Sequence, residues 1–241
     1  MRRLEQAFVA EGVELVRTGL AAGCVPESVY VAHEGIANEL VGELAARAAE
    51  LGGRTYELAP GVMAKVADTV TPQPLLAVFP MVHAPAVPPA ARLVVVMADV
   101  RDPGNAGTVL RTADAAGVDA VVCCGGTVDP YNPKTVRSSA GSLFHVPLVL
   151  GEDAMSTLDD LRPMRRLGTV VRGGADYATI DWTVPTALVL GNEANGLPPT
   201  LPLDGDVGIP MAGRAESLNV GMACAVLCFE ALRQQRSTMP R

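Results

Sequence analysis

Five short runs of apolar, largely β-branched residues mark the second part of the chain: LVVVMAD at 93–99, AVVCC at 120–124, VPLVL at 146–150, GTVVR at 168–172 and TALVLG at 186–191. None alternates apolar with polar residues, as a strand with one wet face does. Runs that are apolar on both sides of the pleat are expected where helices cover both faces of a sheet, so a mostly parallel α/β sheet is the natural architecture. The intervening segments supply helices over 105–116, closed by Gly117, over 134–142, and over 218–235, with Ser217 as the expected N-cap.

Residues 1–82 have a different texture. A period near 3.6 runs through 4–23 and predicts a helix; SVYVAH at 28–33 and RTYELA at 54–59 read as strands, ELVGELAARAAELG at 39–52 as a helix, and LLAVFPMV at 75–82 as a further apolar segment. Then HAPAVPPAAR at 83–92 crowds prolines and alanines without periodicity, which is the composition of a linker. With 241 residues, 49% of them hydrophobic, the chain can bury a substantial core, in either one large α/β domain or two smaller ones. The expected organisation is a small α/β domain over 1–82, a linker over 83–92 and a larger domain over 93–241.

Several classes are disfavoured. No apolar run approaches the roughly 20 residues needed to cross a bilayer, and the amphipathic start does not read as a secretion signal, so a soluble cytoplasmic protein is expected. The five cysteines (24, 123, 124, 224 and 228) form no C-x-x-C pair and lie apart from the three histidines, which suggests neither a disulfide framework nor a metal site. Cys224 and Cys228 are placed to share one helix face. GxxxxGK[ST] is missing, and CCGGTVDP lacks the GxGxxG spacing of a dinucleotide fold. A formal charge of −7 argues mildly against a simple polyanion binder, since Lys and Arg supply most nucleic-acid affinity.

Three constellations carry chemistry. In DVRDPGNAGTVLRTADAAG, at 99–117, Gly104, Gly107 and Arg111 recur at helical spacing, so a bare strip of backbone leads to a guanidinium. That pattern suits either an ordinary amphipathic helix with a solvated arginine or a grip on phosphate or ribose. In LVLGNEANGLP, at 188–198, an apolar strand breaks into a loop holding Gly191, Gly196 and the lone carboxylate of Glu193. Such glycines mark a turn, and loops at carboxyl ends of parallel strands are also where ligands bind. In IPMAGRAESLNVGMACAV, at 209–226, Asn219 and Gly221 stand where Leu or Ile would fill a core better. A buried amide there would cost roughly 1–3 kcal/mol without a partner, so Asn219 should have one.

Together these three segments resemble the motifs of the SpoU (TrmH) family of RNA ribose 2′-O-methyltransferases in the SPOUT superfamily, in the family's order and spacing. Residues 1–82, with AEGVELVR and TPQPLLAV, resemble the small substrate-binding domain that precedes the catalytic domain in rRNA-modifying members. The resemblance implies a carboxyl-terminal trefoil knot, a bent S-adenosyl-L-methionine held in it, and a homodimer. By the same resemblance Leu190, Gly191, Ile209, Met211, Ser217 and Leu218 fall at cofactor-contacting positions. Arg111, Asn105, Glu193 and Asn219 fall at the catalytic positions, Arg111 as the activator of the ribose hydroxyl. The corner at 217–223 would then be small and polar because a ligand and crossing backbone fill it.

The implied activity is S-adenosylmethionine-dependent 2′-O-methylation of RNA, with rRNA favoured because of the extra amino-terminal domain. The alternatives are a tRNA target, an antibiotic-resistance rRNA methyltransferase, a non-catalytic RNA-binding protein and a small-molecule methyltransferase. Neither half of the chain is basic, so RNA contact would rest on a local groove drawn from Arg101, Arg111, Lys134, Arg137 and Arg214, completed by the dimer partner. No membrane or metal is expected as a partner.

Overall fold

The structure, a computed structural model, describes residues 5–238. In chain order the elements are β1 (Ala7–Glu11), α1 (Val13–Ala21), β2 (Ser28–Ala32), α2 (Glu39–Glu50), β3 (Arg54–Leu58), α3 (Met63–Val66) and β4 (Leu75–Pro80). There follow β5 (Leu93–Met97), α4 (Pro103–Ala116), β6 (Ala120–Cys123), α5 (Pro133–Ser138), β7 (Leu148–Leu150), α6 (Ala154–Asp160) and β8 (Arg165–Thr169). The last are β9 (Ala175–Asp176), β10 (Thr186–Leu190), β11 (Gly205–Gly208) and α7 (Val220–Thr238). They form two compact units: one takes the chain up to Val82 together with Tyr131–His145, the other His83–Pro130 and the chain from Val146 onward.

The first unit holds a four-stranded sheet in the order β1-β4-β2-β3, with β1 and β2 antiparallel to β4 and β3 parallel to β2. Here the helix expected over 4–23 is corrected: Ala7–Glu11 is a strand, and Gly12, at φ 111°, turns the chain into α1. The five residues of β1 pair with β4 from Ala7↔Pro80 to Glu11↔Leu76, and that ladder outweighs a local helical pattern that it happens to satisfy. Tyr131–His145 groups with this unit because its aromatics do. Phe144 and Tyr131 pack on Phe8 with ring centroids 5.7 and 5.1 Å away, and the Tyr131 hydroxyl donates to the Val82 carbonyl at 2.6 Å.

The second unit is a seven-stranded, all-parallel sheet in the order β7-β6-β5-β10-β8-β11-β9. Every residue of β5 and β10 is buried, as the continuous apolar runs require of strands covered on both faces. One face packs Val94, Val96, Val122 and Val189 against Leu158 and Leu161 beside α6. Several boundaries differ from expectation: the helix expected over 105–116 begins at Pro103, and that expected over 134–142 ends at Ser138. The run at 168–172 begins as a strand earlier, at Arg165, because Arg166 is clamped by Asp204 at the start of β11; Val170 and Val171 then leave the strand. The final helix begins at Val220, so the capping side chain is Asn219, whose Oδ1 accepts from the Gly221 N–H at 2.9 Å, rather than Ser217.

α4 follows its sequence signals. The Asp102 side chain caps it by accepting from Asn105 N–H at 2.9 Å, Pro103 opens it, and Gly117 in the left-handed region closes it. α4 packs along α7. No helix among the described residues is long and apolar enough to cross a membrane.

Candidate active site

A cavity of about 530 Å3 opens in the second unit where the loops following β8, β10 and β11 meet the start of α7. Its size suits a ligand of cofactor dimensions. Its apolar wall comes from Val170, Val171, Leu197, Ile209, Met211 and Leu218, and its polar side from Asn105, Asn192, Glu193, Ser217 and Asn219. Ligands in open α/β sheets gather at the carboxyl ends of the strands, and this cavity follows the rule.

A chain of hydrogen bonds joins the three sequence constellations at its edge. Gly221 N–H donates to Asn219 Oδ1 at 2.9 Å, Asn219 Nδ2 donates to Asn105 Oδ1 at 2.7 Å, and Asn105 Nδ2 donates to Glu193 Oε1 at 2.9 Å. The two ends fix its direction. A backbone N–H can only donate and an ionised carboxylate can only accept, so both amides between them have one permitted orientation. Glu193 also accepts from the backbone of Arg101 at 3.3 Å and of Asp102 at 3.2 Å. Partial burial pushes its carboxyl upward, but the bond from Asn105 and the backbone donors outweigh this and hold it below the usual glutamate range. It is therefore a fixed anion at neutral pH, with its acceptor capacity largely used.

A second clasp runs beside the first. Asp99 sits at φ 69°, a conformation rare outside glycine, at the exit of β5. Its carboxylate accepts from Arg101 Nε at 2.8 Å and from Asn192 Nδ2 at 3.2 Å, while its carbonyl accepts from the same Asn192 amide at 3.1 Å. Asn192 Oδ1 in turn accepts from Ala194 and Asn195 N–H, shaping the turn that returns to Gly196. The two loops are thus held to each other by side chains at both ends.

Of the residues singled out from sequence, Asn105, Glu193, Asn219, Gly191, Ile209, Met211, Ser217 and Leu218 all line the cavity. Leu190 does not; its side chain is fully buried in β10 and its carbonyl accepts from Ala98 N–H at 2.8 Å. Arg111 lies on the exposed side of α4, outside the lining. Arg101 is paired with Asp99. Lys134 and Arg137 belong to the segment grouped with the first unit, where Arg137 is paired with Asp68 at 3.0 Å. Arg214 is exposed on the loop before α7. Sequence reading missed Thr169, Val170, Val171, Asn192 and Glu216, which also line the cavity. Asn192 was findable, as a polar residue directly after a buried strand. Glu216 gave no signal, since an exposed acid in a loop reads as solvated surface.

Comparison with known proteins agrees with this geometry. Residues 92–229 match the SpoU rRNA methylase family, and residues 1–77 match the MRM3-like substrate binding domain. The 23S rRNA (guanosine(2553)-2′-O)-methyltransferase RlmP of Bacillus subtilis (strain 168) is 37% identical over 233 residues, 95% of this chain and 89% of that protein. A crystal structure of the SpoU methyltransferase AviRb from Streptomyces viridochromogenes, in complex with the cofactor AdoMet, superposes with a TM-score of 0.88 at 29% identity, covering 99% of this chain and 94% of that one. An AdoMet-bound rRNA methyltransferase from Sinorhizobium meliloti gives a TM-score of 0.85 at 32% identity, covering 99% of this chain and 90% of that one. The chain belongs to the SpoU rRNA methylase family.

Proposed function

We propose that the protein transfers a methyl group from S-adenosyl-L-methionine to a ribose 2′-hydroxyl of ribosomal RNA in the cytoplasm. The observation that carries this reading is the directed relay from Gly221 to Glu193, which brings all three family motifs to the edge of one cofactor-sized cavity. The residues present fit the donor. An apolar wall suits adenine, and the ionisable lining groups, Glu193 and Glu216, are both carboxylates, which suit a ligand of net positive charge. Gly191, Ile209, Met211, Ser217 and Leu218 would hold it. Bound there, it supplies an activated methyl group on sulfur.

The remaining work belongs to the chain: to position a ribose hydroxyl and ease removal of its proton. Arg111 is the group for this. A guanidinium is a poor base, so it acts by gripping the adjacent phosphate and polarising the hydroxyl. Asn105 and Asn219 present the amide hydrogens not used in the relay, and Glu193 holds them in register. With most of its acceptor capacity taken by three donors, Glu193 is a positioning anion rather than a proton acceptor.

Arg111 stands outside its own cavity, and this is met by a homodimer in which a second copy brings it to the site. A suitable face exists on α7: Met222 and Phe229, seven residues apart and therefore on one side of the helix, are 61% and 48% exposed. We read the carboxyl-terminal segment as knotted. β11 enters the sheet between β8 and β9, both earlier in the chain, so the polypeptide after β10 must return into structure already laid down. The amino-terminal domain over 1–82, joined by the linker at 83–92 to the methyltransferase domain over 93–241, is read as the part that grips RNA.

The test is methyl transfer from tritiated S-adenosylmethionine to unmodified total rRNA and tRNA. Label in rRNA, lost in Arg111→Ala while the dissociation constant for the donor stays within about twofold, is the expected result. Label in neither RNA, or near-native turnover in the variant, would overturn it.

A further inference from the structure

Among the described residues the cavity has two ionisable lining groups, and they differ in what they have left to give. Glu193 is engaged by Asn105 and by the backbone of Arg101 and Asp102. Glu216 lines the same cavity with its side chain 81% exposed, and its partner is Arg172, whose terminal nitrogen lies 3.4 Å from Glu216 Oε1. Arg172 is itself 80% exposed and directly follows Val171, a residue of the apolar wall. A long, exposed ion pair of this kind contributes little to folding, so stability does not account for a carboxylate and a guanidinium standing side by side at the mouth of a cavity.

We infer that Arg172 and Glu216 form a receptor for the zwitterionic amino-acid end of the methyl donor, the guanidinium taking its carboxylate and Glu216 its ammonium. The inference rests on the reading of the cavity as the donor site and adds to it two binding residues outside the family motifs' assigned contacts. The chemistry is complementary. An α-amino acid carries opposite charges on substituents of one carbon, and a guanidinium beside a carboxylate presents the mirror arrangement, with a planar fork suited to a carboxylate. The division of the cavity supports it. Val170, Val171, Ile209 and Met211 offer apolar surface for the adenine end, whereas Glu216 lies at the exposed rim, where an amino-acid end can stay partly hydrated. A pair held, among the described residues, only to each other opens at small cost to admit such a group, exchanging one exposed ion pair for two charge-assisted contacts.

The amino-acid end is the same before and after methyl transfer, so the pair binds donor and product alike. Isothermal titration of the full chain with S-adenosylhomocysteine and with 5′-methylthioadenosine, which keeps the adenosine and thioether but lacks the amino-acid end, isolates its contribution. Arg172→Ala and Glu216→Ala should each weaken S-adenosylhomocysteine by about three- to tenfold, the range of one exposed charge-assisted contact, while 5′-methylthioadenosine changes by less than about twofold. Both side chains are exposed, so both variants should fold; matching circular dichroism melts check this. Equal effects on the two ligands, or none on S-adenosylhomocysteine, would overturn the receptor. Failure of the unsubstituted protein to bind either ligand would overturn the donor-site reading itself, and the receptor with it.

Discussion

At Gly191 the backbone φ is ordinary, so conformational freedom does not explain the glycine; space does. A Cβ built there would lie 2.6 Å from the Gly196 carbonyl carbon and 2.8 Å from Leu197 Cγ. Two backbone segments touch at this point, and a methyl group would force the 192–196 turn away from β10, taking Asn192 and Glu193 with it. Gly191→Ala is expected to cost about 1–3 kcal/mol of stability as an overpacking change and to weaken S-adenosylhomocysteine binding by more than about tenfold, read by denaturant titration and calorimetry. Stability and affinity both unchanged would show that the turn adapts. At this scale the sequence was informative wherever a residue was wrong for its surroundings. Asn219 at the head of an apolar helix has a partner in Asn105, although it stands exposed rather than in the buried first turn expected. It was silent about Arg172 and Glu216, because a charge in a polar loop is unexceptional and nothing in a linear string marks two such loops as neighbours.

Between elements, the contact of α4 with α7 is close enough to require glycine. A Cβ at Gly221 would lie 2.7 Å from Thr108 Cγ2, and Thr108 has limited freedom because its hydroxyl bonds the Gly104 carbonyl at 2.9 Å. Gly221→Ala should therefore destabilise the protein by about 1–2 kcal/mol, although alanine is the better helix former by about 1 kcal/mol. Adding Thr108→Ala should recover most of that loss in a double-mutant cycle. Additive losses would place the strain elsewhere. The same scale explains why β11 escaped detection. GDVG at 205–208 is too short and too polar to read as a strand; it becomes one because Arg166, buried at the start of β8, clamps Asp204 through 2.9 and 2.7 Å bonds.

That clamp also sets a pH response. The bond from Arg166, against the opposing effect of burial, holds the Asp204 carboxyl at about 2, below its ordinary 3.8. A depressed carboxyl stabilises the fold fully above the ordinary value, and the contribution fades as pH falls from about 4 toward 2. The Asp204 side chain is 41% exposed, so screening reduces its worth to on the order of 1 kcal/mol. Urea unfolding should show the stability gap between the unsubstituted protein and Asp204→Asn narrowing by roughly that amount between pH 6 and 2.5. A gap constant across that range would remove Asp204 as the titrating group.

For the whole molecule, the proposed homodimer sets the prediction. If the exposed apolar residues of α7 form its interface, Met222→Glu with Phe229→Glu yields a monomer in sedimentation velocity, with methyl transfer falling by at least about 100-fold. A monomer retaining full activity would separate Arg111 from any partner-supplied role. With a net charge of −7, the proposed phosphate contact is local; Arg101 and Arg137 are paired with Asp99 and Asp68, whereas Arg111 on α4 and Arg214 on the loop before α7 are exposed.

By itself the sequence determined the sheet type, because continuous β-branched runs have only one comfortable environment, and it located the three loops around the cavity, because glycines and polar residues interrupt apolar elements there. It also carried the helix limit at Gly117, where the cap is local chemistry, but placed the start at Asn105 rather than at Pro103 behind the Asp102 cap. Tertiary structure alone decided that residues 7–11 pair as a strand, that 131–145 packs with the first unit, and which charges stand together at the cavity mouth. Those outcomes depend on contacts between positions far apart in the chain, whose energies enter only once the intervening loops have closed.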